Sequence, residues 1–308
     1  MSLKGMDILT AAQFTREQIE DLFGVADDFA ERLQKGERLR MLDGKLLATV
    51  FYEPSTRTRL SFEAAMQRLG GGVISVAEAK TASSVAKGET LPDTIRTIAN
   101  YADAIVLRHS DVGAAQVAAE ATTIPILNAG DGAGEHPTQA LLDLYTIRAE
   151  KKKIDGLRVA LVGDLKNGRT VHSLARALSL FKVDFSFVAP AALSMPIEVS
   201  DYLRSRDFIV EETNDLARTL QKADVVYMTR VQKERFADQK QYEKMKNFFI
   251  LTADVVKNAK ENLLVMHPLP RVDEITTDVD ALPNAAYFRQ AKNGVFMRMA
   301  LLNDVLGG

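Results

Sequence analysis

The first clear pattern of apolar and polar positions along this chain is helical. Apolar residues recur at spacings of three and four at Ile19, Leu22, Phe23, Ala26, Ala30 and Leu33. This spacing predicts an amphipathic helix. Thr15 and Gln18 have the spacing of a capping box, so the helix should begin directly after Thr15 and end before Gly36.

Beyond that helix, short apolar runs predict buried strands. A first series is predicted at 46–52, 72–77, 104–107 and 124–127, and a second at 159–163, 185–189, 208–212, 225–229, 248–253 and 263–267. Helical stretches at 57–69, 91–102 and 114–121 lie between strands of the first series. Because strands that alternate with helices form right-handed βαβ units, each series should build a parallel sheet with helices on both faces.

A long helical pattern at 137–152 separates the two series. It predicts an α/β protein with two doubly wound parallel-sheet domains joined by a long bridging helix. The first domain is expected at 1–150 and the second at 151–288, with a C-terminal helix at 289–308 returning to the first. Ligands of such sheets bind beyond the carboxyl ends of the strands, so residues that follow strands are the candidates for chemistry.

Composition narrows the possible functions. The 308 residues are 46% hydrophobic and 26% charged with a net charge of −2, which predicts a globular protein that binds neither nucleic acid nor membranes. The absence of cysteine excludes disulfides and thiol catalysis, and the four histidines lack metal-binding spacing, so no metal or cofactor is expected. No signal-peptide core and no apolar run of roughly 18 residues occurs, which predicts a cytoplasmic protein.

The strongest candidate for an anion site follows the first predicted strand. There Ser55, Thr56, Arg57, Thr58 and Arg59 lead directly into a predicted helix. The N–H groups and the dipole at a helix N-terminus favour a phosphate, and guanidinium groups add bidentate hydrogen bonds. The alternative is an ordinary helix cap with surface arginines. Two arginines directly after a buried strand favour the anion site.

Two further candidates belong to the first half. Arg108 ends the third predicted strand and is either a surface charge or a ligand. After the fourth strand, Pro137 suits the first position of a helix, which puts His136 at the cap and Gln139 one turn inside. A neutral His136 and Gln139 can both hydrogen-bond a carbonyl or amide, and the alternative for His136 is a helix cap. Lys87 lies in a long polar loop and, taken alone, indicates a solvated charge.

Candidates in the second half also follow strands. In the segment 163–170, Arg169 takes the place of the lysine in a phosphate-binding loop, and no GxGxxG motif occurs, so a nucleotide site is not predicted. Arg230 and Gln232 follow another strand. After the last strand come His267, Pro268, Leu269 and Pro270, where two prolines fix the backbone so that its carbonyls can act as rigid acceptors. The peptide bond before Pro270 can be cis, which would fix the backbone of this turn.

Six motifs together resemble the catalytic chains of the aspartate carbamoyltransferase family, within the aspartate/ornithine carbamoyltransferase superfamily. In chain order they are STRTR at 55–59, KGET at 87–90, HPTQ at 136–139, GDLKNGRT at 163–170, RVQKER at 230–235 and HPLPR at 267–271. The resemblance implies transfer of the carbamoyl group of carbamoyl phosphate to the α-amine of L-aspartate. The products are N-carbamoyl-L-aspartate and phosphate, in the committed step of pyrimidine biosynthesis.

The resemblance also implies a role for each matched residue. The phosphate would be held by Ser55, Thr56, Arg57 and Thr58. The carbamoyl carbonyl would be polarised by Arg108, His136 and Thr58, and its amine oriented by Gln139 and the carbonyls of Pro268 and Leu269. The carboxylates of aspartate would be bound by Arg169, Arg230 and Gln232. Ser83 and Lys87 would complete each site from the adjacent subunit of a homotrimer, Lys87 also serving catalysis and aspartate binding.

Other interpretations stay open at this point. Ornithine carbamoyltransferases share STRTR and HPTQ, but they usually carry HCLP at 267–270, and the segment 230–232 of this chain suits a carboxylate. A non-catalytic homologue that acts as a scaffold would typically have lost phosphate-binding arginines, which are present here. Regulatory chains and other enzymes of pyrimidine synthesis are open as partners.

Overall fold

The computed structural model describes residues 2–82, 84–231 and 248–307 of the chain. These residues divide into two compact units. Unit 1 comprises Met1–Leu142 and Lys292–Gly308, and unit 2 comprises Asp143–Ala291. The first division falls within the helix Pro137–Lys151 and the second within the helix Tyr287–Leu306.

Unit 1 is built on a four-stranded parallel sheet. Its strands are β1 Leu46–Phe51, β2 Gly72–Val76, β3 Ala104–His109 and β4 Ile126–Asp131, in the order β2-β1-β3-β4. The helices that begin in it are α1 Arg16–Gln34, α2 Thr56–Arg68, α3 Ala79–Ala82, α4 Leu91–Ala99, α5 Ala114–Glu120 and α6 Pro137–Lys151. The chain's end also packs here, since the carbonyl of Val305 accepts the N–H of Gly5 at 2.9 Å.

Local sequence signals determine where α1 begins, as predicted. The Thr15 hydroxyl accepts the N–H of Gln18 at 3.2 Å, and the Gln18 side chain accepts the N–H of Thr15 at 2.9 Å. This reciprocal capping box satisfies two N–H groups that the first turn leaves open. The predicted apolar stripe is the buried face, with Ile19 and Ala26 fully inaccessible.

The core of unit 1 lies along β1, β3 and β4, whereas the β2 edge of the sheet is open. Val50, Ile105 and Ile126 are completely buried. At the β2 edge, by contrast, Ile74 is 37% exposed and Leu60 on the neighbouring α2 is 49% exposed. Solvated large apolar side chains at a sheet edge are a feature that a partner surface can cover.

Unit 2 is built on a five-stranded parallel sheet. Its strands are β5 Arg158–Val162, β6 Asp184–Val188, β7 Val210–Thr213, β8 Val225–Met228 and β9 Leu264–Met266, in the order β7-β6-β5-β8-β9. Its helices include α7 Arg169–Leu178, α8 Ile197–Arg204, α9 Leu216–Leu220, α10 Ala253–Lys257 and the first turn of α11 Tyr287–Leu306. The predicted fold class, two doubly wound parallel-sheet domains, is therefore confirmed. Among the described helices, none combines the length and hydropathy that crossing a membrane requires.

The prediction of a strand at 248–253 is wrong. Phe249 and Leu251 are buried while Phe248 and Ile250 are exposed, so the alternation typical of a strand is real. However, Leu251 forms only an isolated bridge with Ile275, and β9 occupies the place next to β8. The segment is an apolar stretch that fills the core without joining the sheet.

Each sheet has one point where the direction of winding reverses. In unit 1 the chain moves from β1 outward to β2 and then crosses back to β3, so the reversal lies between β1 and β3. In unit 2 the same reversal lies between β5 and β8. Loops that leave the sheet on opposite faces there open a crevice, the usual ligand site of such sheets.

Candidate active site

In unit 1 the loops that follow β1 and β3 leave the sheet side by side. Phe51 and Arg108 are direct partners in the parallel register, and the N–H of Tyr52 donates to the Arg108 carbonyl at 2.9 Å. The chain then runs from β1 through Glu53 to the N-terminus of α2. Predicted phosphate-binding residues therefore lie at the reversal point of this sheet.

The start of α2 differs from an ordinary capped helix. Ser55 is its N-cap residue, yet the serine side chain makes no capping hydrogen bond. The side chains of Thr15 and Thr90, by contrast, do cap their helices. Arg57 is exposed and Thr58 is buried within the first turn. A helix N-terminus that its own serine leaves uncapped, with an arginine beside it, suits an anion.

Arg108 is held at the end of β3 and is not an ordinary surface charge. Its side chain is only 14% exposed, and its Nε lies 3.4 Å from a carboxylate oxygen of Glu53. One terminal nitrogen also donates to the carbonyl of Ala129 at 3.1 Å. The neighbouring His109 adds little positive charge, because burial lowers its pKa against the opposing effect of Asp111 and Glu53. Arg108 is thus a positioned cation.

His136 stands at the start of α6, directly before Pro137, as the sequence predicts. It is 3% exposed, and its carbonyl accepts the N–H groups of Gln139 at 3.0 Å and Ala140 at 3.2 Å. The preceding loop is fixed by Asp131, which accepts the N–H of Gly113 at 2.9 Å and the N–H of Glu135 at 2.8 Å. Gln139 is also buried, so both polar side chains have fixed places.

Lys87, in the polar loop, makes no polar contact with these residues within the described part of the chain. Lys87 ends the short 3-10 helix Ser84–Lys87 and is exposed. It forms no hydrogen bond or ion pair with any other described residue. Ser83, which the family resemblance also places in the site, lies outside the described residues. Within the described part of the chain, no hydrogen bond or ion pair therefore links Lys87 to the phosphate loop.

In unit 2 the loops after β5 and β8 meet in the same way. Val162 pairs with Met228, and the N–H of Thr229 donates to the Val162 carbonyl at 2.8 Å. Gly163 has a φ of +116°, and a Cβ there would lie 2.3 Å from the Thr229 carbonyl oxygen. Only glycine permits this approach of the two loops. Arg230 follows Thr229 directly and is half-buried.

The loop between Gly163 and α7 is a turn that presents Arg169. Buried Asp164 accepts two hydrogen bonds from Asn167, one from its backbone N–H at 3.0 Å and one from its side-chain amide at 3.1 Å. Gly168 is the N-cap residue and Arg169 is the first residue of α7. Arg169 and Arg230 therefore flank the reversal point of the second sheet, where two carboxylates would find two guanidinium groups. Gln232 lies outside the described residues.

A third loop leaves the same edge after β9, the neighbour of β8. It contains His267, Pro268, Leu269 and Pro270, and the bond between the last two is cis, as the sequence suggested. Within the described chain, the carbonyl oxygens of Pro268 and Leu269 accept no hydrogen bond. A small pocket at this edge of unit 2 is lined by residues that include Gly163, Thr229 and Glu274.

Sequence reasoning missed the residues that hold this third loop. Buried Glu274 accepts a hydrogen bond from the His267 ring, and buried Gln290 accepts one from the His267 backbone. These partners are seven and 23 positions away, and no motif links them. Among the described residues, no three His, Asp or Glu side chains are grouped so that they could hold a metal ion.

Comparison with known proteins links both units to one family. Residues 6–149 match the model of the carbamoyl-P binding domain of aspartate/ornithine carbamoyltransferases. Residues 155–305 match the model of the Asp/Orn binding domain of the same proteins. The first match includes the predicted phosphate-binding residues of unit 1, and the second includes Arg169 and Arg230 of unit 2.

Individual relatives match along the entire chain. The aspartate carbamoyltransferase catalytic subunit of Thermococcus onnurineus is 52% identical over 307 residues, covering 100% of this chain and 99% of that protein. The chloroplastic aspartate carbamoyltransferase of Arabidopsis thaliana is 53% identical over 304 residues, covering 98% of this chain and 78% of the relative.

A solved structure of an aspartate transcarbamoylase has the same fold as this chain. Aspartate transcarbamoylase from Trypanosoma cruzi in complex with carbamoyl phosphate and aspartate has a TM-score of 0.94 and 46% identity, covering 99% of this chain and 98% of that one. With both domain models and full-length relatives in agreement, the chain belongs to the aspartate/ornithine carbamoyltransferase family.

Proposed function

We propose that this chain transfers the carbamoyl group of carbamoyl phosphate to the α-amine of L-aspartate, giving N-carbamoyl-L-aspartate and phosphate. One observation carries the proposal: each unit places cationic side chains at the reversal point of its sheet, Arg57 and Arg108 in unit 1 and Arg169 and Arg230 in unit 2. Carbamoyl phosphate and aspartate are both anions. Separate cationic sites suit one phosphate and one dicarboxylate.

Unit 1 binds carbamoyl phosphate. The N-terminus of α2 and Arg57 bind the phosphate, while Ser55 and Thr56 add hydroxyl donors. Arg108, Thr58 and His136 donate to the carbonyl oxygen, and Gln139 accepts a hydrogen bond from the carbamoyl amine. Donors held in place before reaction stabilise the negative charge that develops on that oxygen, each contributing about 10²–10³ in rate.

Unit 2 binds aspartate through its two carboxylates. Arg169 and Arg230, with Gln232, hold the carboxylates by charge-assisted hydrogen bonds. The neutral α-amine attacks the carbonyl carbon and forms the new C–N bond. The C–O bond to phosphate then breaks, and the amine gives up one proton, which the departing phosphate can accept. No cofactor enters this sequence, because the phosphate is already a good leaving group and the remaining task is alignment.

The direct test compares two acceptors under identical conditions. The protein is incubated with carbamoyl phosphate and either L-aspartate or L-ornithine, and phosphate release and the carbamoylated product are both measured. Product with aspartate and none above background with ornithine is expected. Product with ornithine alone would replace the proposal by the ornithine reaction, and product with neither acceptor would favour a scaffold.

We also propose that the chain forms a homotrimer in the cytoplasm in which Ser83 and Lys87 reach the site of an adjacent subunit. Two features support a shared site: Lys87 is exposed without a described partner, and the β2 edge displays Leu60 and Ile74. A cyclic trimer closes its head-to-tail interfaces after three subunits. We further propose residues 1–150 with 289–308 as the carbamoyl phosphate domain and 151–288 as the aspartate domain.

Mixing two inactive variants tests the shared site. Arg57→Ala and Lys87→Ala subunits are exchanged after mild dissociation, and each variant treated alone is the control. Each mixed trimer has one interface where an intact Arg57 meets an intact Lys87, so random equal mixing should restore about a quarter of wild-type activity. Mixed trimers that are verified by mass and remain inactive would show that Lys87 acts within its own chain.

A further inference from the structure

Leu269 has a backbone conformation that leucine rarely adopts. Its φ is +58°, in the left-handed region where the Cβ atom of an L-residue crowds the backbone. Such a conformation persists only where the surrounding structure enforces it, and it is concentrated at functional sites. The structure around Leu269 should therefore contain the groups that hold it.

The His267 ring is the first of these groups. Its Nδ1 accepts the N–H of Leu269 at 2.7 Å, which requires an unprotonated Nδ1. The ring proton is then on Nε2, which lies 2.7 Å from an oxygen of Glu274. His267 and Glu274 are 1% and 5% exposed. The carboxylate therefore fixes both the orientation and the tautomer of the imidazole.

Glu274 is in turn held as an ionised acceptor. Its second oxygen accepts the N–H groups of Val272 and Asp273, both at 3.1 Å. Burial by itself would raise the pKa of Glu274, but the hydrogen bond from His267 and those from the backbone outweigh it and lower the pKa. A charged carboxylate with every contact directed at this loop acts as its anchor.

A second series of buried hydrogen bonds also holds the loop, through the backbone of His267. The N–H of His267 donates to Gln290 at 3.0 Å, and the Gln290 amide donates to Asp143 at 2.6 Å. The hydroxyl of Tyr227 donates to the other oxygen of Asp143 at 2.8 Å. All of these side chains are buried. The histidine is thus fixed through both its backbone and its ring.

We propose that His267 is a positioning residue for carbamoyl transfer: its ring, anchored by Glu274, fixes Leu269 so that the carbonyls of Pro268 and Leu269 receive the carbamoyl amine. This inference rests on the proposed function. It gives those two carbonyl oxygens, which accept no hydrogen bond in the described chain, a defined ligand. His267 itself touches no substrate in this account.

Two substitutions separate the two contacts of the ring. In His267→Asn, the amide oxygen stands close to the position of Nδ1, so it can still accept the N–H of Leu269, while the contact with Glu274 is lost. In His267→Gln, the amide nitrogen reaches the position of Nε2, so Glu274 keeps its donor, while Leu269 loses its acceptor. Both variants are compared with the wild type by Tm, by kcat and by calorimetric binding of carbamoyl phosphate and inorganic phosphate.

We expect His267→Gln to be the more stable but the less active of the two variants. His267→Gln should keep a Tm near that of the wild type but bind carbamoyl phosphate about tenfold more weakly, a change of about 1.4 kcal/mol. Its kcat should fall by about 10- to 100-fold, because the reacting group is misplaced. Inorganic phosphate, which has no amine, should bind as in the wild type. His267→Asn should have the lower Tm and a carbamoyl phosphate affinity within about threefold of the wild type.

Three results would overturn the proposal. Activity that follows Tm, with His267→Asn the less active variant, would assign the histidine a structural role only. Equal weakening of carbamoyl phosphate and inorganic phosphate would remove the link to the amine. Wild-type behaviour of His267→Gln, in a protein that is active with aspartate, would refute the inference alone, whereas an inactive wild type would refute the proposed function. If His267→Gln fails to fold, Gln290→Met removes the acceptor of the His267 N–H. Its Tm should fall, because buried Asp143 also loses a donor, but carbamoyl phosphate should again be weakened about tenfold while inorganic phosphate binds as in the wild type.

Discussion

Replacing Gly163 by alanine should damage the aspartate half of the site and leave the phosphate half intact. A Cβ at this position would lie 2.3 Å from the carbonyl oxygen of Thr229 and 2.7 Å from its hydroxyl. Ordinary van der Waals contact begins at 3.4 Å, so the loops must separate by about 1 Å. In addition, φ is +116°, which alanine adopts only with strain.

Both effects can be given a magnitude. The strained φ costs about 1–3 kcal/mol and the overpacking about 1–3 kcal/mol, so we expect a loss of about 2–4 kcal/mol in the free energy of unfolding after partial relaxation. Thr229 is bonded directly to Arg230. A displacement of about 1 Å at a positioning residue lowers kcat/KM by as much as about 10²-fold, and we expect this loss for aspartate.

The assay measures kcat/KM for aspartate at saturating carbamoyl phosphate, thermal unfolding, and binding of inorganic phosphate. Gly24→Ala is the matched control, because Gly24 lies within α1, has no neighbour within 4 Å of a built Cβ, and should gain about 0.5–1 kcal/mol. Wild-type stability and aspartate kinetics in Gly163→Ala would refute the claim that this close approach positions Arg230. Equal loss of phosphate binding would refute the separation of the two sites.

Three further substitutions test other parts of the account. Arg230→Ala should raise the KM for aspartate by at least about thirtyfold, because truncating one partner of a buried charge pair costs about 2–5 kcal/mol. Calorimetric binding of carbamoyl phosphate should stay near wild type, and equal losses for the two substrates would contradict the assignment of Arg230 to aspartate. Arg57→Ala should abolish the rise in Tm that inorganic phosphate gives the wild type by mass action, and equal rises in both proteins would sink the assignment. The lowered pKa of Glu274 means that its stabilising effect is present above its ordinary value of about 4.3 and is lost as pH falls through the folded pKa. Glu274→Gln should therefore make Tm less sensitive to pH below about 4.3 in thermal scans, and an unchanged slope would count against it.

Much of the site could be predicted because its residues follow strands directly. Arg108 and Arg230 lie at or just after the end of a predicted strand, and Arg169 begins the helix that follows another. Parallel strands bring such ends to one edge. Helix signals such as Thr15 with Gln18, or Pro137 at the start of α6, depend only on neighbouring residues. These features are local, so the sequence contains the information directly.

The features that were missed depend on pairing across long distances. The alternation at 248–253 satisfies the pattern of a strand, but only the sheet order shows that the place beside β8 is taken by β9. The hydrogen bonds of His267 to Glu274 and Gln290 join positions without any shared spacing. Likewise, the ion pair of Glu53 with Arg108 requires β1 and β3 to be neighbours, which periodicity does not reveal.

The proposed reaction forms a bond between the carbamoyl carbon and the nitrogen of aspartate. The most direct measurement incubates the protein with ¹³C-labelled carbamoyl phosphate and ¹⁵N-labelled L-aspartate and records ¹³C NMR spectra over time. We expect a new carbonyl signal split by one-bond coupling to ¹⁵N, which grows as phosphate is released and is absent with Arg57→Ala. Release of phosphate with no ¹³C–¹⁵N coupling would contradict the account, since the carbamoyl group would then have been lost to water.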